Sequence, residues 1–97
     1  MNTKIKQAIE SRKVLEFYYK DDLRIVEPHT YGVTKTGKGS LRAYQVGGNS
    51  TDSETIGWKL FTVDKIQNLQ IKEISFVGTR DGYNPNDSIM TSIYARL

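Results

Sequence analysis

Near the N-terminus, apolar residues Ile5, Ala8 and Ile9 recur at i, i+3 and i+4, the spacing of a single stripe along a helix. Asn2 or Thr3 stands just before them and supplies a capping side-chain oxygen. The pattern predicts a short helix ending between Ser11 and Lys13, too short to be stable without a packing partner. From Val14 to Tyr19 the period changes to two, with Leu15, Phe17 and Tyr19 on one side and Val14, Glu16 and Tyr18 on the other. That alternation predicts a strand. Lys20-Asp21-Asp22 reads as a polar turn, and Leu23 to Glu27 as the returning strand of a hairpin. Pro28 has no N–H and is predicted to interrupt the ladder, with His29 to Lys35 continuing as irregular extended chain.

Thr36-Gly37-Lys38-Gly39 predicts a second turn, because its glycines tolerate positive φ. Ser40 to Val46 is the third predicted strand. Gly47 to Gly57 is the longest predicted loop, and Trp58 to Thr62 the fourth strand. Val63 to Gln67 has room for one helical turn. Leu69 to Phe76 is the fifth strand, with Leu69, Ile71 and Ile74 as its buried set. Thr79 to Asp87 is irregular, punctuated by Gly82 and Pro85. Ile89, Ile93 and Leu97 at i, i+4 and i+8 predict a short closing helix capped by Asp87 or Ser88, while the alternation of Ile89, Thr91 and Ile93 equally allows a final strand. Five short strands with tight turns predict a mainly β fold, a small bent sheet or barrel with a short N-terminal helix. Closure would remove exposed edges.

The chain has 97 residues, enough for one domain (1–97) with one modest core. There is no cysteine, which excludes disulfides, thiolate metal sites and cysteine nucleophiles and fits a cytoplasmic location. No run approaches the roughly 20 apolar residues of a membrane helix, and the N-terminus lacks a signal-peptide pattern. No membrane partner is expected. Net charge is +3, and its placement carries more information than its size. From Pro28 to Thr51 there is no Asp or Glu, while Lys35, Lys38 and Arg42 fall there; the rest of the chain carries eleven basic against eleven acidic residues. A one-signed segment on a neutral body makes an anion-attracting face, or simply a hairpin kept soluble by its lysines.

Catalysis has few candidate residues. His29 is the single histidine and no nucleophile-elbow pattern accompanies it, so neither a metal site nor a catalytic triad is expected. The chain reads as non-enzymatic, without cofactor. Gly37-Lys38-Gly39 lacks the spacing of a phosphate loop and reads as a turn whose lysine can still meet a phosphate as a point charge. Ser40, Arg42 and Tyr44 leave one face of the third strand. An arginine beside an aromatic ring can clamp a phosphate and stack a base; the other reading buries Tyr44 in the core with Arg42 solvated. Phe61 is expected in the core; Trp58, beside the long loop, is expected there too, with a surface platform as the alternative.

The run Arg24-Ile25-Val26-Glu27-Pro28, followed by Ser40-Leu41-Arg42-Ala43-Tyr44 and then Lys59-Leu60-Phe61-Thr62-Val63-Asp64-Lys65-Ile66, resembles the WYL domain. That family has a basic residue and a proline in its second strand. Next come Trp-Tyr-Leu, a residue, Ala and Tyr, and then Arg-x-Phe-x-Leu-Asp-Arg-Ile. The resemblance covers residues 5–76 and leaves 77–97 as a C-terminal extension. The naming tripeptide falls on Gly39-Ser40-Leu41, so both aromatics are absent. The two arginines of the last motif fall on Lys59 and Lys65, which keeps charge without bidentate geometry.

The resemblance implies a five-stranded Sm-like or SH3-like barrel. It also implies a regulatory sensor of single-stranded nucleic acid or nucleotides, of the kind attached to transcription regulators, including those of phage defence. The implied pocket falls on Tyr44, Lys59, Lys65 and Ser40, with Arg42 and His29 nearby and Lys35 and Lys38 as electrostatic periphery. The chain has no helix-turn-helix, so it reads as a stand-alone module. The alternative is a protein-interaction or homo-oligomeric assembly module without a small ligand.

Overall fold

The computed structural model describes residues 2–49 and 55–97; positions 50–54 of the predicted long loop lie outside the described residues. The helix α1 spans Thr3–Ser11, and the Asn2 side chain accepts a hydrogen bond from the Ile5 N–H at 3.1 Å. This satisfies one of the donors every helix start leaves open. Ile5, Ala8 and Ile9 are fully or almost fully buried. Each large apolar side chain so buried contributes about 1.5–3 kcal/mol, which offsets the poor stability of nine isolated helical residues. Arg12 closes the helix in the left-handed region at φ 53°.

Six antiparallel strands follow among the described residues: β1 (Lys13–Tyr19), β2 (Asp22–Thr34), β3 (Gly39–Gly48), β4 (Gly57–Thr62), β5 (Gln67–Ser75) and β6 (Met90–Arg96). A 3₁₀ turn at Val63–Lys65 joins β4 to β5. The β1–β2 hairpin closes through Lys20 and Asp21 with φ of 52° and 64°. Two positive φ values at the centre of a two-residue loop match the right-handed twist of the flanking strands.

β2 organises the sheet. Its first half pairs with β1 from Tyr19↔Asp22 to Leu15↔Val26. Its second half pairs with β6 from Thr30↔Arg96 to Thr34↔Met90. β3 runs along the opposite edge from Arg24↔Gly48 to Val33↔Gly39. Contrary to the expectation at Pro28, the strand does not stop there. A register shift between Pro28 and Thr30 accommodates the missing donor, as a bulge does.

The C-terminal residues form the strand β6, not a helix, and the sheet has six strands in place of five. β1 is too short to cover all of β2, and the uncovered backbone groups need partners. β6 supplies them, next to Gly32, where an added Cβ would lie 2.3 Å from the Ser92 carbonyl oxygen. The sheet is also not closed into a barrel. Its order is β4-β3-β2-β1-β5, so β4 and β5 are its two ends. In place of a ladder there, the Tyr19 hydroxyl accepts the Thr62 N–H at 3.1 Å, and Val63 and Ile66 pack against the core. Ile74 is 58% exposed. Between Lys13↔Ser75 and Leu15↔Ile71, β5 bulges and turns that side chain outward, while Leu69 and Ile71 do pack on the core.

The core lies between α1 and the inner sheet face. Phe61 sits at its centre, with ring centroids 4.9 Å from both Phe17 and Tyr19 in edge-on contact. Arg24 is buried in the same layer, its guanidinium 5.6 Å from the Tyr19 ring centre and 5.7 Å from that of Phe61. It donates to Gln45 at 3.2 Å.

Candidate anion-binding face

Strand alternation and register decide which side chains share the outer face. On β3, Leu41, Ala43 and Gln45 are buried on the inner face; Ser40, Arg42 and Tyr44 project the other way, with Ser40 itself buried and Arg42 and Tyr44 half-buried. Across on β4, Ser40 pairs with Thr62, Arg42 with Leu60 and Tyr44 with Trp58. Tyr44 and Trp58 meet edge-on with centroids 5.5 Å apart, both half-buried. His29, from the bulged part of β2, lies edge-on to Trp58 at 4.7 Å.

The chain after β5 crosses this face. Arg80 forms a two-pronged ion pair with Glu27, at 2.8 and 3.1 Å, and its guanidinium lies 4.8 Å over the Tyr44 ring. Trp58 donates its indole N–H to the Asp81 carbonyl at 2.8 Å. The backbone comes so close there that a Cβ on Gly82, whose φ is +90°, would sit 3.0 Å from the indole nitrogen. Arg42 pairs with Asp87 through Nε at 2.8 Å.

His29 is fully buried. Its Nε2 accepts the Arg80 backbone N–H at 3.1 Å, so Nδ1 carries the proton and donates to the Glu27 carbonyl at 2.8 Å. Burial pushes the imidazole pKa below its ordinary value, only partly countered by the Glu27 carbonyl and carboxylate. Burial alone would raise the Asp87 carboxyl; the hydrogen bonds from Arg42 and the Ile89 N–H outweigh it and hold the group below the usual carboxylate range.

Farther along the same face, toward the β2–β3 turn, lies a groove of about 480 Å³ lined by Lys35, Lys38, Leu60 and a set of hydroxyl residues. Those are Thr34, Thr36, Ser40, Thr62, Ser88 and Thr91. Among the described residues no carboxylate lines it, and neither lysine is in an ion pair. Ser40 and Thr91 spend their hydroxyl protons on the Lys38 and Val33 carbonyls. Thr34 and Thr36 share one hydrogen bond at 3.0 Å, so one of the two hydroxyls keeps its proton. An anion entering the groove therefore meets two ammonium groups and uncommitted hydroxyl donors, the inventory that recognises phosphate oxygens. A smaller cleft of about 220 Å³ adjoins it, lined by Arg42, Trp58, Gly82, Asn84 and Asp87.

Of the residues singled out by sequence, the structure gathers Ser40, Arg42, Tyr44 and His29 on one face, with Lys35 and Lys38 at its end. It does not bring Lys59 or Lys65 to them. Lys59 lies opposite Ala43 on the Phe61 side of β4, and Lys65 is exposed on the 3₁₀ turn. Trp58, expected in the core, is half-buried on the outer face. Sequence reasoning missed Arg80, Asp87 and the hydroxyl residues of the groove. The threonine-rich composition around the acid-free segment was the available signal for the hydroxyls. Arg80 and Asp87 lie in the extension beyond the recognised motifs.

Among the described residues, no cluster of three or more His, Cys, Asp or Glu is placed to hold a metal ion. No helix among them is long and apolar enough to cross a membrane. No protein-family model matches the chain, and no curated protein or solved structure matches it.

Proposed function

We propose that this chain is a non-enzymatic binding module for a phosphate-bearing ligand, a nucleotide or single-stranded nucleic acid, held on the outer face of β3 and β4. The observation that carries the reading is the groove in which Lys35 and Lys38 stand among hydroxyl donors, with no carboxylate among its described lining residues. Two features support it. The half-buried Tyr44–Trp58 pair lies on the same two strands, so a base attached to the bound phosphate would stack on the ring surface that Arg80 and the segment around Gly82 leave uncovered. The motif order that resembles the WYL domain, an Sm-like or SH3-like sensor fold, points to the same ligand class. The centre of the site is nearer the β2–β3 turn than that resemblance implies, because Lys59 and Lys65 stand away from Tyr44 and the turn lysines stand in the groove.

The test is a titration of a fluorescein-labelled oligothymidylate and of AMP at two salt concentrations. Binding is expected to weaken with salt, since each neutralised phosphate releases counterions. Lys35→Ala and Lys38→Ala should each lower the salt slope for the oligonucleotide by about 0.7, the single-strand value per phosphate contact. No binding of either probe at low salt overturns the proposal. Persistent self-association with no ligand bound would favour an assembly module.

A further inference from the structure

Arg42 stands on β3 two residues from Ser40 and opposite Leu60, both of which line the lysine groove, and it is already occupied. The Asp87 carboxylate contacts its Nε at 2.8 Å and its Nη2 at 3.5 Å. Asp87 is held there by its own turn: Oδ1 accepts the Ile89 N–H at 3.2 Å, and the Asp87 carbonyl accepts the Met90 N–H at 3.1 Å. The next residues, Ser88 and Ile89, line the lysine groove. One tight turn therefore forms a wall of the groove and places a carboxylate on the nearest arginine. The side chains of Arg42 and Asp87 are 30% and 10% exposed, so the pair is partly screened from water and its carboxylate is a stronger competitor than a surface one.

We infer that Asp87 is an intramolecular competitor for the anionic ligand: its carboxylate fills the position on Arg42 that a second phosphate would take, and limits the face to ligands that engage the lysine groove alone unless the turn moves. This deepens, and rests on, the proposed phosphate-binding reading. The ligand chemistry follows from the arrangement. A monophosphate such as AMP satisfies the lysine groove and leaves the Arg42–Asp87 pair in place. A ligand with a run of phosphates, such as an oligonucleotide, has a second phosphate that competes with Asp87 for Arg42. Asp87 thus sets the preference between the two.

Asp87→Asn tests this, because the amide oxygen still accepts the Ile89 N–H while the charge and the acceptor facing the Arg42 Nε are both removed. With the same labelled oligothymidylate, its affinity should rise about tenfold, the scale of one charge-assisted hydrogen bond, while AMP affinity changes little. Adding Arg42→Gln to Asp87→Asn should cancel the gain. Thermal melts of each variant establish that the fold is kept. An oligonucleotide affinity that does not rise in a folded Asp87→Asn, with the wild-type chain binding, overturns the inference and leaves the proposed function standing. Equal gains for AMP and oligonucleotide, or a gain that survives Arg42→Gln, also overturn it. Failure of both the wild type and Asp87→Asn to bind either probe overturns the proposed function itself. Binding by Asp87→Asn alone would support the competitor role in its strongest form.

Discussion

Acidification from pH 7.5 to 5.5 is expected to destabilise this chain through a single residue. His29 is the single histidine, so no other side chain with an ordinary pKa changes charge in that window. Both of its ring nitrogens are committed, one as donor to the Glu27 carbonyl and one as acceptor from the Arg80 N–H. A proton on Nε2 would set N–H against N–H, and the cation would sit in a fully buried site against Trp58, Phe76 and Tyr83. The charged groups facing it are Glu27, which favours the cation, and Arg80, which opposes it. Burial outweighs these and lowers the folded pKa below 6.5. The unfolded chain therefore takes up the proton first as pH falls. Stability is fully present above the unfolded pKa, is lost as pH falls through it, and levels off below the folded value.

One proton changes stability by at most about 1.4 kcal/mol per pH unit. For a domain this size, about 1 kcal/mol corresponds to roughly 4–8 °C in Tm. Melts followed by circular dichroism at pH 7.5, 6.5 and 5.5 should show a Tm decline that begins near the unfolded histidine pKa. His29→Gln, which keeps an acceptor toward Arg80 and cannot titrate, should remove that decline even if its Tm is lower throughout. A flat wild-type profile, or the same slope in His29→Gln, would refute the argument. Trp58 fluorescence reports the same event locally, because the indole touches His29 and is bonded to Asp81.

Two further outcomes test the packing. Phe61→Ala should cost about 3–5 kcal/mol in denaturant unfolding, since its ring joins Phe17 and Tyr19 at the centre of the core. Gly32→Ala should cost about 1–3 kcal/mol and raise hydrogen exchange selectively in β6, because its Cβ would collide with the Ser92 carbonyl.

Local pattern determined a large part of this protein. The Asn2 cap, the stripe Ile5-Ala8-Ile9, the alternation of Leu15, Phe17 and Tyr19, the turn at Thr36 to Gly39 and the helical turn after Thr62 all follow from neighbours a few residues apart, and all are present. Same-strand spacing likewise put Ser40, Arg42 and Tyr44 on one face, because a two-residue period leaves them no alternative. Tertiary structure decided the rest. Ile89, Ile93 and Leu97 satisfy helix and strand spacing alike, and the choice fell to the open edge of β2, more than fifty positions away in the chain. The face of Lys59 depended on its register against Ala43, which no feature of its own strand specifies. The basic face was legible, but its coverage was not: Arg80 and Asp87 reach Glu27 and Arg42 across separations of 53 and 45 residues. Such contacts leave no periodic trace, since a salt bridge needs only two residues and a fold that carries them together.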